Sequence, residues 1–465
     1  MPACPEGIEA NTSNVADWSY VAEGGLHIVC KYLGKDAKYS GRVLRIPKQE
    51  NSLWLLKQLF LDNVVLPMLE SRHMPDNKNV WLTAEFSQGM DAHVEPSRSA
   101  ERIKKGRIQT LDQPAYLMED LLVPCSVQDL ATKKVPFFLF SLEIKPKGAA
   151  PMARGLPSRF VLQAMLKAEK KKAKEKDHDD QHAAEITGYR PTDLFSGEMS
   201  RVSHAVDMLI ETPSNNLRTY VGGEVKTPKE TEALLKNWVP QMIQAESGFF
   251  KDIRAIQCLA AGQQETAEAL EAALQTTVGE KWTEATLLPE TYEKALSNWM
   301  GPGNLREAFL TRTAADRKVP EAPEGELLPT QTEHQKEGGR LVEALKAGKG
   351  DAEQAAAVEW LCRYLMGRTF LDLSLMINFV ALKGDQDKET VDALQAAKFF
   401  EVSGTTIPPE VVSSLGVEGP SSVRLFYRIS AVDVDLKPVG KIADWADTYR
   451  DCVEIAKKLA DGGDA

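Results

Sequence analysis

The segment Val135–Ile144 constrains this chain more than any other. It is an almost unbroken run of aromatic and aliphatic residues that closes on Lys145-Pro146-Lys147. An apolar run of that length reads as a central strand covered on both faces. Alternate side chains of an extended chain share a face, so Glu143, Lys145 and Lys147 point one way at the end of the strand. Two lysines projecting together can clamp a phosphate. The same spacing also suits a strand that runs out into solvent.

The distribution of charge matters more than its sum. Net charge is −11 over 465 residues, which argues against nonspecific nucleic-acid binding. Between Lys133 and Lys176, however, twelve Lys or Arg stand against three Glu. Such an island on an acidic protein suits a polyanionic small molecule. No apolar run approaches the length of a membrane span. Met1-Pro2-Ala3-Cys4-Pro5 has neither the basic nor the apolar region of a secretory signal, so the cytoplasm or nucleus is expected. The six cysteines form no Cys-x-x-Cys pair, so neither a cysteine-based zinc site nor a disulfide framework is expected.

The chain is long enough for two or three packed subdomains. Strands are expected over residues 20–25, 26–32 and 40–48, around the turn Glu23-Gly24-Gly25, then a helix near Trp54–Leu69. Ala115–Met118, leading into Glu119-Asp120, reads as a hinge. Helices are expected over 158–176, 198–211, much of 227–300, and Gln354–Met366, the last stopping at Gly367. Residues 311–353 read as a flexible insertion. A final strand, Val423–Leu436, precedes a C-terminal helix.

Three further segments carry chemistry. Asn215-Asn216-Leu217-Arg218 concentrates amide and guanidinium donors, although a capped turn has the same look. Asp372 lies inside the apolar run from Phe370, where a lone acid is either functional or paired with a lysine. Asp433, Asp435 and Lys437 share a face in an extended chain, and two carboxylates at a strand end suit magnesium. His178 and His182 have metal-pair spacing but lie in a charged, solvated stretch. No Walker A sequence and no histidine–arginine–aspartate loop occurs.

Together these segments resemble the inositol-pentakisphosphate 2-kinase family. The matching residues are Glu143 to Lys147, Arg159-Phe160 with Lys167, Asp193 to Gly197, Asn215 to Arg218, and Asp433 to Pro438, in the family's order. The resemblance implies an α/β, two-lobed, protein-kinase-like fold with an added, mostly helical inositide-binding region. The nucleotide lobe would span 1–118 and the larger lobe 119–465. It implies transfer of the ATP γ-phosphate to the 2-hydroxyl of inositol 1,3,4,5,6-pentakisphosphate with Mg2+. Lys145 and Asp372 would be catalytic and Asp433 would bind the metal. Glu23, Gly24, Gly25, Arg45, Glu119 and Asp120 would hold the nucleotide. Lys147, Lys167, Asn215, Asn216, Arg218, Lys437 and Lys441, with Arg102 from upstream, would hold the inositide. His27 stands where the family has asparagine, Gln163 where it has histidine, and Lys441 where arginine is common. A monomer acting on small molecules is expected, without nucleic acid. Another inositol phosphate specificity and a noncatalytic inositide scaffold are the alternatives.

Overall fold

A computed structural model describes residues 13–48, 57–58, 60–148, 159–175, 188–261, 364–437 and 441–460. The chain is a mixed α/β protein on two antiparallel sheets. The first sheet runs β1-β2-β3-β5-β4, from β1 (Trp18–Glu23), β2 (His27–Tyr32), β3 (Arg42–Pro47), β4 (Asn77–Leu82) and β5 (Gln113–Glu119). The three expected strands are present, the first running from Trp18 to Glu23 rather than from 20 to 25. The stretch read as a hinge is instead a strand, β5, paired with both β3 and β4. β5 ends at Glu119, one residue past the boundary expected at 118/119. In the region expected to be helical near 54–69, the described part is a wide π turn over Leu61–Val65 running into Leu66–Leu69.

The second sheet runs β10-β11-β9-β6-β7-β8. Its strands are β6 (Phe137–Ile144), β7 (Leu217–Val221), β8 (Glu224–Lys226), β9 (Ser374–Lys383), β10 (Phe400–Val402) and β11 (Val423–Val432). The apolar run read as a central strand is β6, flanked by β9 and β7. Glu143 pairs with Arg218 and Met376, Ser141 with Asn378, and Arg428 and Ser430 with Asn378 and Met376. Directly paired residues share a face, so these side chains form a polar strip. The opposite face presents Phe140, Leu142, Ile144, Leu375, Ile377, Phe379 and Ile429 to the largest core. The helices Met199–Glu211, Glu232–Ala245 and Ser247–Ala261 cover it with Leu209, Trp238, Met242 and Phe250. Burying an apolar side chain contributes about 1.5–3 kcal/mol, which sets which face of the sheet is inward.

The polar strip faces the connection and the first sheet. Asn378 donates to Leu121 O at 2.8 Å and Ser141 to Leu122 O at 2.9 Å. Arg428 pairs with Glu119 at 2.7 Å. Elsewhere Arg72 pairs with Glu246 at 2.9 Å, and Tyr427 donates to the same carboxylate at 2.9 Å.

Two expected boundaries move. β11 ends at Val432, not Leu436, because Asp433 has φ 60° and leaves the extended region. The helix before Asp372 is described only from residue 364 and continues through Gly367 to 371. The insertion at 311–353, His178, His182, Pro438 and the stretch 262–300 lie outside the described residues. No helix among the described residues is long and apolar enough to cross a membrane.

Candidate functional site

Four strand ends meet at one edge of the second sheet. Ile144 pairs with both Leu217 and Leu375, and Val432 with Ser374. The residues just beyond those ends, Lys145, Asn216, Asp372 and Asp433, are thereby gathered from stretches far apart in sequence. Lys145 N donates to Asn216 O at 2.8 Å. Lys145 Nζ and Arg218 Nη1 approach the two oxygens of Glu143 at 3.5 and 3.7 Å. Ser374 Oγ donates to Asp433 Oδ2 at 3.4 Å. The glutamate of the Glu143-Ile144-Lys145 sequence therefore holds two cations in place.

The turns at this edge are strained. Lys147, Ser214 and Asp433 have φ of 60°, 46° and 60°. A residue with a side chain costs on the order of 1 kcal/mol in that left-handed region and persists only where its surroundings impose it. Two side chains supply that constraint for Lys147. Tyr189 Oη donates to Pro146 O at 2.9 Å, and Gln257 Nε2 donates at 3.0 Å to both Lys147 O and Phe370 O. Gln257 thus ties the lysine turn to the segment that presents Asp372.

On the side nearest the first sheet, Arg45 of β3 spans the two acids after β11. It lies 3.3 Å from Asp433 Oδ1 and 2.8 Å from Asp435 Oδ2. Burial works against the Arg45 charge, but Asp435 and then Asp433 outweigh it and hold the guanidinium above its usual range. Burial likewise opposes ionisation of Asp435, and Arg45 with His27 and Lys57 keeps it below the usual carboxylate range. Two adjacent carboxylates and the Ser374 hydroxyl are hard oxygen donors, and a cation already stands on them as a stand-in. That donor set fits magnesium, which needs only one or two carboxylates and completes its shell with phosphate and water. No group of three or more metal-ligating His, Cys, Asp or Glu occurs among the described residues.

On the other side, Asp372 stands among several cations. Lys437 lies 3.5 Å from it. Lys147 is pushed below the lysine range by burial, partly offset by Asp372 and, less, by Glu143, with Lys145 and Lys167 adding repulsion. Arg159 is also lowered by burial and feels Asp372, and its Nε is buried without a partner. Arg368 is lowered to about 10 by burial and by Arg159. The cations clearly outnumber the acids here.

The remaining expected residues lie elsewhere on the two sheets and their flanking helices. Asn216 is buried with its Oδ1 unpaired, while Asn215 and Arg218 are exposed. Lys167 projects from the helix Arg159–Glu175, and Lys441 precedes the helix Ile442–Ala460; both are exposed. Glu23 departs from the expectation of a nucleotide-facing side chain. Its carboxylate is 1% exposed and pairs with Lys48 and, at 2.8 Å, with Arg98. Burial would raise its pKa, and hydrogen bonds from Arg98 and Lys48 override this and hold it at about 2. Gly24 and Gly25 meet open space above this triad. His27 is buried and held neutral, with a pKa of about 3, by burial and then Arg45. Glu119 and Asp120 turn their side chains into structural pairs, Glu119 to Arg428 and Asp120 to Lys31 at 2.7 Å. Their backbone N–H groups are also used within the fold, Glu119 N donating to Asp76 O at 3.1 Å and Asp120 N to Gly41 O at 2.9 Å. Arg102 sits on the short helix Ala100–Lys104 beside Arg98, whose Nη2 donates to its carbonyl. Sequence reasoning missed Gln257, Tyr189, Arg428 and Arg368. Arg159 stood only within a family signature.

Residues 20–451 match the family model described as inositol-pentakisphosphate 2-kinase. The chain belongs to that family. Among curated relatives, an inositol-pentakisphosphate 2-kinase of Arabidopsis thaliana is 25% identical over 290 residues, covering 50% of this chain and 60% of that protein. One of Cryptococcus neoformans is 28% identical over 250 residues, covering 50% and 57%. One of Danio rerio is 26% identical over 237 residues, covering 47% and 46%. The chain thus spans less than two thirds of the length of each. Inositol-pentakisphosphate 2-kinases from plant, fungus and fish are all among its similar proteins.

Proposed function

We propose that this chain transfers the γ-phosphate of ATP to the 2-hydroxyl of inositol 1,3,4,5,6-pentakisphosphate, giving inositol hexakisphosphate. It would do so on a two-lobed, protein-kinase-like fold with an added helical inositide-binding region. The observation that carries the reading is the excess of cations around Asp372 at an edge shared with Asp433. Five phosphate monoesters bring roughly −7.5 to −10 charges at neutral pH. Lys145, Lys147, Arg159, Lys167, Arg218, Lys437 and Lys441 can supply dispersed counter-charge, and Asn216 adds a polar amide. Membership of the family supports the substrate class.

Phosphoryl transfer needs donor and acceptor aligned and the charge on the moving group stabilised. Arg45, paired with Asp433 and Asp435, and Lys145, just beyond the end of β6, would engage the terminal phosphates. Magnesium on Asp433 and Asp435 would neutralise charge on the transferring group when bound. Asp372, held by Lys437, would orient the 2-hydroxyl and accept its proton. His27, as a neutral imidazole, offers one donor and one acceptor and so does the polar work an asparagine amide does. The adenine would lie against the connection beside Glu119 and Asp120. The site draws on one chain, so the proposal includes a monomer. The proposal also includes the nucleus or cytoplasm, consistent with the absence of a disulfide at Cys30 and Cys125. A binding scaffold would need neither Asp372 nor Asp433.

The test is ADP release with inositides that differ only at the 2-position. Pentakisphosphate with a free 2-hydroxyl should support turnover, and the same ring blocked there should not. Equal turnover on both, or on neither, overturns the assignment.

A further inference from the structure

Arg368 has no place in the mechanism above, and Met366-Gly367-Arg368-Thr369 carries no motif that marks it. It lies in the helical stretch 364–371 and is 7% exposed. Its guanidinium carbon stands 4.3 Å from the centroid of the Trp445 ring, on the helix Ile442–Ala460.

Of the three buried arginines among the described residues, Arg98 is paired with Glu23 and Arg428 with Glu119. Among the described residues Arg368 has no carboxylate partner. Its charged neighbours are Arg159, which repels it, and Asp372, whose ion pair is with Lys437. A buried cation without a counter-charge is costly, and a second guanidinium beside it adds to that cost. The indole face offsets part of it, because a ring quadrupole attracts a cation. It also does something an acid could not. A guanidinium held over a ring face, rather than forked onto a carboxylate, keeps N–H groups available for the two oxygens of a phosphate.

We propose that Arg368, positioned by Trp445, binds one ring phosphate of the acceptor. This rests on the function proposed above and deepens it. Arg368 precedes Asp372 by four residues on the same short segment. Recognition of that phosphate and orientation of the 2-hydroxyl are therefore coupled, and an acceptor lacking the phosphate loses turnover as well as affinity.

The experiment compares wild type, Arg368→Met, Arg368→Lys and Trp445→Leu. Calorimetry reads pentakisphosphate affinity, thermal melts read ligand-free stability, and kinetics read KM and kcat. Arg368→Met should weaken pentakisphosphate binding about 10- to 100-fold. The KM for ATP should stay unchanged and the ligand-free Tm should stay equal or rise, because an unpaired charge is gone. Arg368→Lys should restore the affinity only in part, since an ammonium cannot bind two oxygens in a fixed plane. Trp445→Leu should raise the inositide KM more than it lowers kcat. Among inositol tetrakisphosphates each missing one phosphate, one should bind wild type and Arg368→Met equally well. A lower ligand-free Tm with unchanged affinity makes Arg368 structural and overturns the proposal. So does an equal affinity ratio across all the tetrakisphosphates. If wild type itself binds no inositide, the function proposed above fails; if wild type binds and Arg368→Met binds equally, only this inference fails.

Discussion

Two charged clusters in this protein are built to opposite rules. Beneath the glycine turn, Glu23 takes hydrogen bonds from Lys48 and Arg98, and all three side chains are buried. Around Asp372 stand Lys147, Arg159, Arg368 and Lys437; the acid is itself 57% exposed and pairs at 3.5 Å with Lys437, and Glu143 is the further acid that Lys147 feels. In the first cluster the charges are satisfied within the fold and fix β1 against Lys48 and the segment near residue 98. In the second they are not, and the deficit of negative charge is what a polyphosphate would supply. Satisfied charge holds a fold together, and unsatisfied buried charge marks a place where something binds.

The largest effect expected lies where the two rules meet, at the acids under Arg45. Asp433→Ala should lower kcat by about 10³-fold, as loss of several kcal/mol of metal-assisted stabilisation requires, while pentakisphosphate affinity changes little. Steady-state kinetics with calorimetry checks this, and full activity in the variant would remove Asp433 from the metal role. Next is the satisfied cluster. Glu23→Ala should lower folding stability by about 3–5 kcal/mol, since it strands two buried cations, as denaturant unfolding would show. A near-neutral result would erase the contrast drawn here. Gln257→Leu leaves two carbonyls without their donor, a cost of about 1–3 kcal/mol, and lets the Lys147 turn relax. It should raise the inositide KM several-fold more than the KM for ATP.

The smallest effect is in pH. The folded Glu23 carboxyl titrates at about 2, below its unfolded value of about 4.3, so the unfolded chain binds more protons between them. Its contribution is complete above the unfolded value and is lost as pH falls towards 2. Melting temperatures from pH 5 down to 3 should fall more in wild type than in Glu23→Gln.

Parts of this design were legible in the sequence. The apolar run of β6 with alternating Glu143, Lys145 and Lys147 places a strand and a cationic end, because strand period and residue chemistry are both local. Asp433 was legible as an acid but its geometry was not. Val432, Val434 and Leu436 keep a strand's alternation, while the backbone turns left-handed at Asp433. β4 carries only Val80, Trp81 and Leu82 as apolar residues, too few to display a period. Gln257 and Arg368 could not be read at all. A glutamine on a helix becomes a brace only because Lys147, 110 residues away, comes within 3.0 Å. An arginine becomes unpaired only because the fold withholds an acid from it. Pairing is a property of three dimensions, and a charge count along the chain does not contain it.

The central claim is that the unsatisfied cations near Asp372 are the counter-charge of a polyphosphorylated inositol. The most direct measurement is calorimetric titration of inositol 1,3,4,5,6-pentakisphosphate into nucleotide-free wild type and Lys147→Met at two salt concentrations. Saturable one-to-one binding is predicted, weaker at higher salt, with about tenfold lower affinity in the variant and no loss of its melting temperature. Absence of saturable binding, or equal affinity in the two proteins, would contradict it.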